Sequence, residues 1–392
     1  MRPVAITRVV WILSLVSLFT DISSEMLYPV LPLYLQSIGY SFAFIGILEG
    51  VAEAVAGLSK GFFGRWSDQL GKRLPFVQIG YALSAVSRPL LVIWTHPFGI
   101  FTSRTTDRLG KGIRTAARDA LLALEATPAT RATVFGFHRS MDTLGAVVGP
   151  LLAFGFLYMY PGEYFWLFIL AFVPGLISVG CTLLISEKNT EKKLHPKIPS
   201  FFTSLSYILK ANSEYKRIVF GLLVFALFNS SDMFLLLRAK ELGTTDTGVI
   251  RLYILFNLSY ALLAWPVGGV ADRLGKKKVA IAGFVAFGGV YVFMALMSDS
   301  GLVWLPFVLY GGFYACTEGI SKAWISDITP GHELGEALGT FTALQSVAML
   351  LASTLAGAIW QFYGSWAALL LSALAGMVVA AYFALIQFRK SS

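Results

Sequence analysis

Gly64-Arg65-Trp66-Ser67-Asp68-Gln69-Leu70-Gly71-Lys72-Arg73 returns 204 positions later as Gly268-Gly269-Val270-Ala271-Asp272-Arg273-Leu274-Gly275-Lys276-Lys277. Both stretches read G-x-x-x-D-x-L-G-K-[KR], and each follows a long apolar run. Two further echoes keep nearly the same offset. Leu18-Phe19 with Ser23-Ser24-Glu25-Met26 matches Leu227-Phe228 with Ser230-Ser231-Asp232-Met233, and the stretch from Glu125 to Pro128 matches that from Asp327 to Pro330. Self-similarity of this kind marks a duplicated structural unit.

A helix crosses the hydrocarbon core of a bilayer with roughly 20 mostly apolar residues. The chain offers twelve such runs, near 9–35, 42–64, 75–95, 98–125, 134–158, 164–185, 218–238, 250–271, 278–298, 302–326, 337–359 and 365–388. Composition agrees. Hydrophobic residues make up 56% and charged residues 14% of the 392, where a soluble chain carries about 25% charged. That excludes a string of soluble domains, whose outsides must be wetted, and it excludes a disordered chain. The repeat splits the spans six and six around one polar, lysine-rich connection with Pro196 and Pro199. The expected fold is an all-α membrane protein of twelve transmembrane helices in two pseudo-symmetric six-helix bundles. The expected divisions are 1–185 for the N-terminal bundle, 186–217 for a cytoplasmic linker and 218–392 for the C-terminal bundle. Parallel repeats of this type are related by an axis along the membrane normal.

Lysine and arginine set the orientation. With both termini in the cytoplasm, the loops on that side hold nineteen basic residues, against at most Arg238, Lys240 and Arg251 opposite. The net charge of +9 is therefore expected from basic loops rather than from nucleic-acid binding. The basic N-terminus leads into an apolar run too long for a cleaved signal peptide, so a retained first helix is expected. Localisation is expected in a plasma membrane of the bacterial inner-membrane type. Cys181 and Cys316 sit inside apolar runs, and the four histidines are scattered. No Walker A, HExxH or nucleophile–base spacing occurs, so no cofactor, no metal and no enzymatic activity is expected.

On these residues the chain resembles the major facilitator superfamily. The loop between helices 2 and 3, with Gly64, Asp68, Gly71, Lys72 and Arg73, is similar to that family's signature, and Asp272 and Gly275 repeat it. Gly145-Ala146-Val147-Val148-Gly149-Pro150 in helix 5 is similar to a motif of its proton-driven exporters of the 12-helix drug-efflux type. Arg104 loosely matches the family's helix 4 arginine, with the following glycines displaced to Gly110 and Gly112. The resemblance implies alternating access between the two bundles, with the loop motif as a conformational latch. The loop has its own physics. Gly64 and Gly71 permit a close approach and a tight turn. Asp68 can accept from backbone N–H groups at a helix N-terminus, and Lys72 and Arg73 stay at the cytoplasmic surface.

An ionisable side chain at membrane depth costs at least roughly 2.5 kcal/mol, so each one is a functional candidate. The N-terminal half places seven acids there (Asp21, Glu25, Glu49, Glu53, Asp107, Asp119, Asp142) and seven bases (Arg88, Arg104, Arg108, Lys111, Arg114, Arg118, Arg139). At about 100° per residue, Arg104, Asp107, Arg108, Lys111, Arg114 and Arg118 share one face of helix 4, which cannot meet lipid. Two readings stay open: the stripe attracts an anion, or the acids neutralise it in a structural network, which the equal counts favour. Asp21 and Glu25, four apart, stack on one face of helix 1. Two close carboxylates do not both ionise cheaply, so one is suited to carry a proton. The alternative is permanent pairing with Arg88, Arg114 or Arg139. Asp142 beside Arg139 is the next proton-carrier candidate, and neighbouring His138 reads as a core residue. Pro29 and Pro32 permit a bend in helix 1. In the second half the load is Asp232, Glu318 and Lys322. Glu318 and Lys322 stand 204 positions after Arg114 and Arg118, so the repeat aims both pairs at a central cavity. Tyr28, Tyr34, Trp265, Tyr310 and Tyr314 are aromatic candidates for stacking on a solute.

The leading expectation is a secondary active transporter of a small organic solute, driven by protons in the export direction. The alternatives are ion-coupled uptake of an organic anion and a membrane sensor that has lost flux. The expected partners are the solute, protons and the bilayer. A monomer suffices, because two bundles enclose their own pathway.

Overall fold

The computed structural model describes residues 6–126, 131–187, 207–329 and 333–386. The side chains at 68, 69, 131–133, 136, 265, 272 and 334–336 lie outside the described residues. Most of the expected linker, and the side chains of Asp68, Asp272 and Trp265, therefore lie outside them.

The described chain is helical throughout. Fifteen helices run in order: α1 (Arg8–Leu27), α2 (Leu31–Ser37), α3 (Phe42–Leu70), α4 (Leu74–Ile93), α5 (Pro97–Leu124), α6 (Arg131–Met159), α7 (Tyr164–Thr182), α8 (Tyr207–Lys210), α9 (Ser213–Phe228), α10 (Met233–Glu241), α11 (Asp246–Leu274), α12 (Lys276–Leu296), α13 (Trp304–Asp327), α14 (Leu334–Tyr363) and α15 (Ser365–Leu385). Joining α1 to α2 and α9 to α10, and setting the one-turn α8 aside, these are the twelve expected helices. Ten are long and apolar enough to cross a membrane. The other two, α5 and α13, are the equivalent fourth helices of the two repeats. They have the length, at 28 and 24 residues, but spend their apolar quota on ionic or polar side chains.

Local chemistry sets the ends. Thr7, Asn212 and Thr245 accept from the backbone N–H three residues on and so cap α1, α9 and α11. Gly275 and Gly364 adopt φ of +91° and +88°, which lets α11 stop and α12 start with one residue between, and likewise α14 and α15. Helix 1 does more than bend. Helix α1 stops at Leu27 and α2 restarts at Leu31, with Pro29 in the gap and Pro32 in the first turn of α2, where a missing N–H costs nothing. Helix 7 breaks without a proline, between Phe228 and Met233, at Asn229-Ser230-Ser231-Asp232.

The chain forms two compact units, residues 1–34 with 51–201, and residues 35–50 with 202–392. In unit 1, α1 packs on α6 and α7, and α4 packs on α5 and α7. In unit 2, α9 packs on α14 and α15, and α12 packs on α13 and α15. Each pair in one unit has its repeat mate in the other, which is the duplication carried into packing. Residues 35–50 group with unit 2. A Cβ on Gly50 would sit 2.6 Å from the Leu350 carbonyl, one on Gly46 would strike the Ser353 carbonyl, and the Phe42 and Trp360 rings are 5.2 Å apart. Helix α3 therefore belongs to both units. Tyr158, Phe220, Leu262 and Phe362 are each more than half exposed, as lipid-facing side chains are and a soluble surface is not.

Candidate functional site

Helix α5 carries its charges inward because its glycines bring neighbouring backbones close. A Cβ at Gly110 would lie 2.5 Å from the Gly80 carbonyl of α4, and one at Gly112 would collide with Ser59 of α3. The displaced glycines of helix 4 are thus packing positions. They press α5 against α4 and α3 and leave its ionic stripe facing α1. The result is a small cavity of about 40 Å³ lined by Asp21, Ser24, Glu25 and Tyr28 from helix 1 and by Arg104, Asp107, Arg108, Lys111 and Arg114 from α5. That is room for a few waters.

Pairing is partial. Arg104 meets Asp107 at 3.5 Å and Arg108 meets Glu53 at 3.4 Å. Arg118 donates to Asp119 at 2.9 Å and to the Ser17 hydroxyl at 3.0 Å. Asp142 lies 3.9 Å from Arg139 and 3.7 Å from His138, whose other ring nitrogen is 3.4 Å from the Ser14 hydroxyl. Among the described residues the other three bases have no carboxylate within ion-pair reach. Arg114 donates to the Ser84 hydroxyl at 2.5 Å and lies 4.6 Å from the centre of the Tyr81 ring. Arg88, 3% exposed, reaches only the Thr20 carbonyl, at 3.5 Å. Lys111 projects into the cavity unpaired. Among the described residues, four of the seven bases thus have a carboxylate within ion-pair reach.

Asp21 differs from the paired acids. Among the described residues its carboxylate makes no ion pair and no hydrogen bond. The charges around it are Asp142 and Glu25 of its own sign, and Lys111 and Arg118 of the opposite sign. Permanent pairing with Arg88, Arg114 or Arg139 does not occur at Asp21. Of the N-terminal candidates, the structure gathers Asp21, Glu25, Arg104, Arg108, Lys111 and Arg114 on one cavity. It leaves Arg88, Arg118, Arg139 and Asp142 off its lining. Glu49, 1% exposed, lies in the stretch that packs with unit 2.

The helix 5 motif acquires a physical role here. A Cβ on Gly145 would lie 2.7 Å from the Leu18 carbonyl and 2.8 Å from the Asp21 Cβ, and one on Gly149 would lie 2.6 Å from the Ile22 carbonyl. These glycines let α6 press its backbone against α1 beside Asp21 and Glu25. Pro150 sits within α6.

In unit 2, Asp232 ends the helix 7 break and is held by two phenols. Tyr310 donates to it at 2.7 Å and Tyr314 at 2.8 Å. Both were expected as stacking surfaces, and the Tyr310 hydroxyl and the Tyr314 hydroxyl are instead committed to this carboxylate. Glu318 and Lys322 pair at 2.6 Å, each about half exposed, on the lining of a second cavity of about 100 Å³. That cavity also takes Asn229, Gln345 and the rings of Phe225, Phe284, Phe313 and Tyr314. Asn229 and Gln345 were missed in the sequence. The one available signal was the polar run from Asn229 to Asp232 inside an otherwise apolar span.

At the ends of the bundles, Gly71 takes φ of +64° as the loop motif requires. The N-terminus of α4 behind it is capped by Glu187, which accepts from the Arg73 N–H at 2.8 Å and the Leu74 N–H at 2.9 Å. In the second copy, Lys276 pairs with Asp327 and Lys277 donates to the Ile386 carbonyl at 2.6 Å. Each loop is thereby tied to the end of its unit's sixth helix, by an acid in one copy and a base in the other.

Against known proteins, the family model for the major facilitator superfamily matches residues 13–243 and 218–392. The chain is 33% identical to an uncharacterized MFS-type transporter of Methanocaldococcus jannaschii, over 91% of this chain and 89% of that protein. It is 23% identical to a protein of Lactococcus lactis named as a multi-drug resistance efflux pump PmrA homolog, over 95% of this chain and 93% of that one. The crystal structure of a point mutant of the nucleoside transporter NupG superimposes with a TM-score of 0.83 at 15% identity, covering 97% of this chain and all of that one. At that identity the likeness shows the fold alone.

Proposed function

The chain belongs to the major facilitator superfamily and is a multi-pass membrane transporter of a small solute, and from that premise we propose that it exports an organic solute in exchange for protons. The observation that carries the proposal is Asp21, an acid on an ionic cavity that has, among the described residues, no hydrogen bond or ion pair to hold its charge. An acid locked to an arginine keeps its charge through a cycle and couples nothing. An acid whose neighbours are two carboxylates, a lysine and a shared arginine changes the net charge of its cavity each time it binds or releases a proton. A single change of charge in a small cavity walled by protein biases one conformation over another by a few kcal/mol, enough to drive a two-state cycle. The Gly145 and Gly149 contacts transmit it, because α6 lies against the α1 backbone at Asp21 and has no side chain to absorb a shift there. In this reading Arg104 and Arg108, each with its own carboxylate, hold the cavity's shape, and Glu25 modulates Asp21.

Supporting the direction are the helix 5 motif and the efflux name carried by the L. lactis relative. The topology proposed with it is six helices per half, both termini cytoplasmic in a plasma membrane, and the two glycine loops acting as latches on that side. A second reading has one observation in its favour. Among the described residues Lys111 and Arg114 meet no carboxylate within ion-pair reach, which would suit uptake of an organic anion at the same cavity.

Proteoliposomes under an imposed pH gradient separate the two. Export by exchange releases protons against solute, and uptake carries both the same way. Asp21→Asn is expected to abolish gradient-driven flux without loss of expressed protein. Undiminished flux in Asp21→Asn would remove this residue as the proton carrier.

A further inference from the structure

We propose that the unit 2 cavity is a recognition pocket for a neutral, planar aromatic or heteroaromatic solute that presents an N–H donor. The proposal rests on the transport reading and adds the chemical class of what is carried.

Three features define the pocket. Its walls are aromatic: the Phe225 ring lies 4.7 Å from that of Phe284 and 5.7 Å from that of Phe313, and Tyr314 closes the side with its hydroxyl already given to Asp232, so its ring is what it offers. A volume of about 100 Å³ is of the order that one aromatic ring fills, and such walls receive a ring edge-on or offset-stacked. The charge of the lining is zero. Glu318 and Lys322 are its acid and its base, and they satisfy each other at 2.6 Å. A charged solute would have to break that pair or enter without a counter-charge. This sets the pocket apart from the ionic cavity of unit 1.

The third feature is an unmet acceptor. Asn229 lines the pocket, and among the described residues its buried Oδ1 has no hydrogen-bond partner. Buried acceptors are costly when left unpaired, and this one sits where helix 7 breaks between Phe228 and Met233. Irregular backbone at membrane depth is tolerated where it lines a cavity, and discontinuous helices supply solute contacts. A rotation about the Asn229 side chain turns its carboxamide to a ring N–H. Gln345, from α14, brings a second carboxamide to the same lining.

The test is equilibrium binding of radiolabelled indole to the purified full chain in lipid nanodiscs, with no ion gradient. Coupling by Asp21 can therefore fail in flux assays without touching the result. Benzofuran, which has the same shape and lacks the N–H, and benzoate, which is anionic, are the competitors. Saturable indole binding is expected, with benzofuran weaker by about tenfold, the worth of one buried hydrogen bond, and benzoate weaker still. Asn229→Leu is expected to abolish the indole preference while benzofuran competes as before. Equal binding of indole and benzofuran by the wild-type protein overturns the acceptor role of Asn229. Tighter binding of benzoate, or no saturable binding of any probe, overturns the pocket. The wild-type comparison decides the matter even if Asn229→Leu does not fold.

Discussion

The cavity of unit 1 and the cavity of unit 2 are built on the same duplicated framework, each drawing on the first and fourth helices of its repeat, and their linings share almost no chemistry. Unit 1 assembles two acids of helix 1 with an acid and four bases of α5. Unit 2 assembles aromatic rings, two carboxamides and one self-cancelling ion pair. The register links them: Arg114 and Arg118 are replaced 204 positions later by Glu318 and Lys322. Helix packing depends on small residues and apolar surface, which both copies keep. The cavity linings differ while the pairing of helices is the same in both units, so one copy became ionic and the other aromatic on a common framework. A group that changes charge is useful where neighbouring charges feel it. Discrimination between neutral solutes is better made by shape and a single hydrogen bond.

The sharpest break of that comparison is Asp21→Asn. Its expected outcome is loss of proton-driven flux, against a quantitative and smaller change for any single substitution in the unit 2 lining, measured in the same proteoliposomes. Next comes the anchoring of Asp232. Tyr310→Phe and Tyr314→Phe each remove one hydrogen bond to a carboxylate, a loss of about 1.5–3 kcal/mol apiece. The double variant is expected to lose stability in thermal unfolding by more than either single one. Gly149→Val drives a side chain into the Ile22 carbonyl, at a cost of about 1–3 kcal/mol by overpacking. Gly155→Val on the same helix meets nothing within 4 Å and is expected to leave the melting temperature near wild type. Arg114→Ala is expected to impair flux more than Arg65→Ala, since Arg114 lines the cavity and Arg65 does not; equal effects would count against a functional role for the unit 1 lining. The smallest effect is expected at the cytoplasmic loops. Glu187→Gln weakens the anionic cap on α4 by about 0.3–1 kcal/mol, readable as faster amide exchange at Arg73 and Leu74.

Much of the site could be anticipated because charge in an apolar span is conspicuous. Asp21, Glu25 and the α5 stripe were evident from cost alone, and the structure gathers most of them on one cavity. The cavity's inner pairing was not evident. That Arg114 would turn to Ser84 and Tyr81, leaving no carboxylate beside it, depends on where α4 lies against α5. Neutral groups were invisible for the opposite reason. Asn229 and Gln345 are cheap enough at any depth to pass as incidental, and only the helix 7 break and the aromatic walls give them a setting. Glu187 capping α4 depends on the end of the sixth helix returning beside the third.

The amino-acid order determined by itself that the chain crosses a membrane, that it is a duplication, and that its costly charges concentrate in the first half, because transfer of apolar and ionic groups into lipid is a property of residue types summed along a span. Which charges cancel, which acid stays unpaired and which neutral amide is left without a donor were decided only by tertiary structure, since hydrogen bonds and ion pairs act within about 4 Å and helix-to-helix register at that scale is set by packing of the whole bundle.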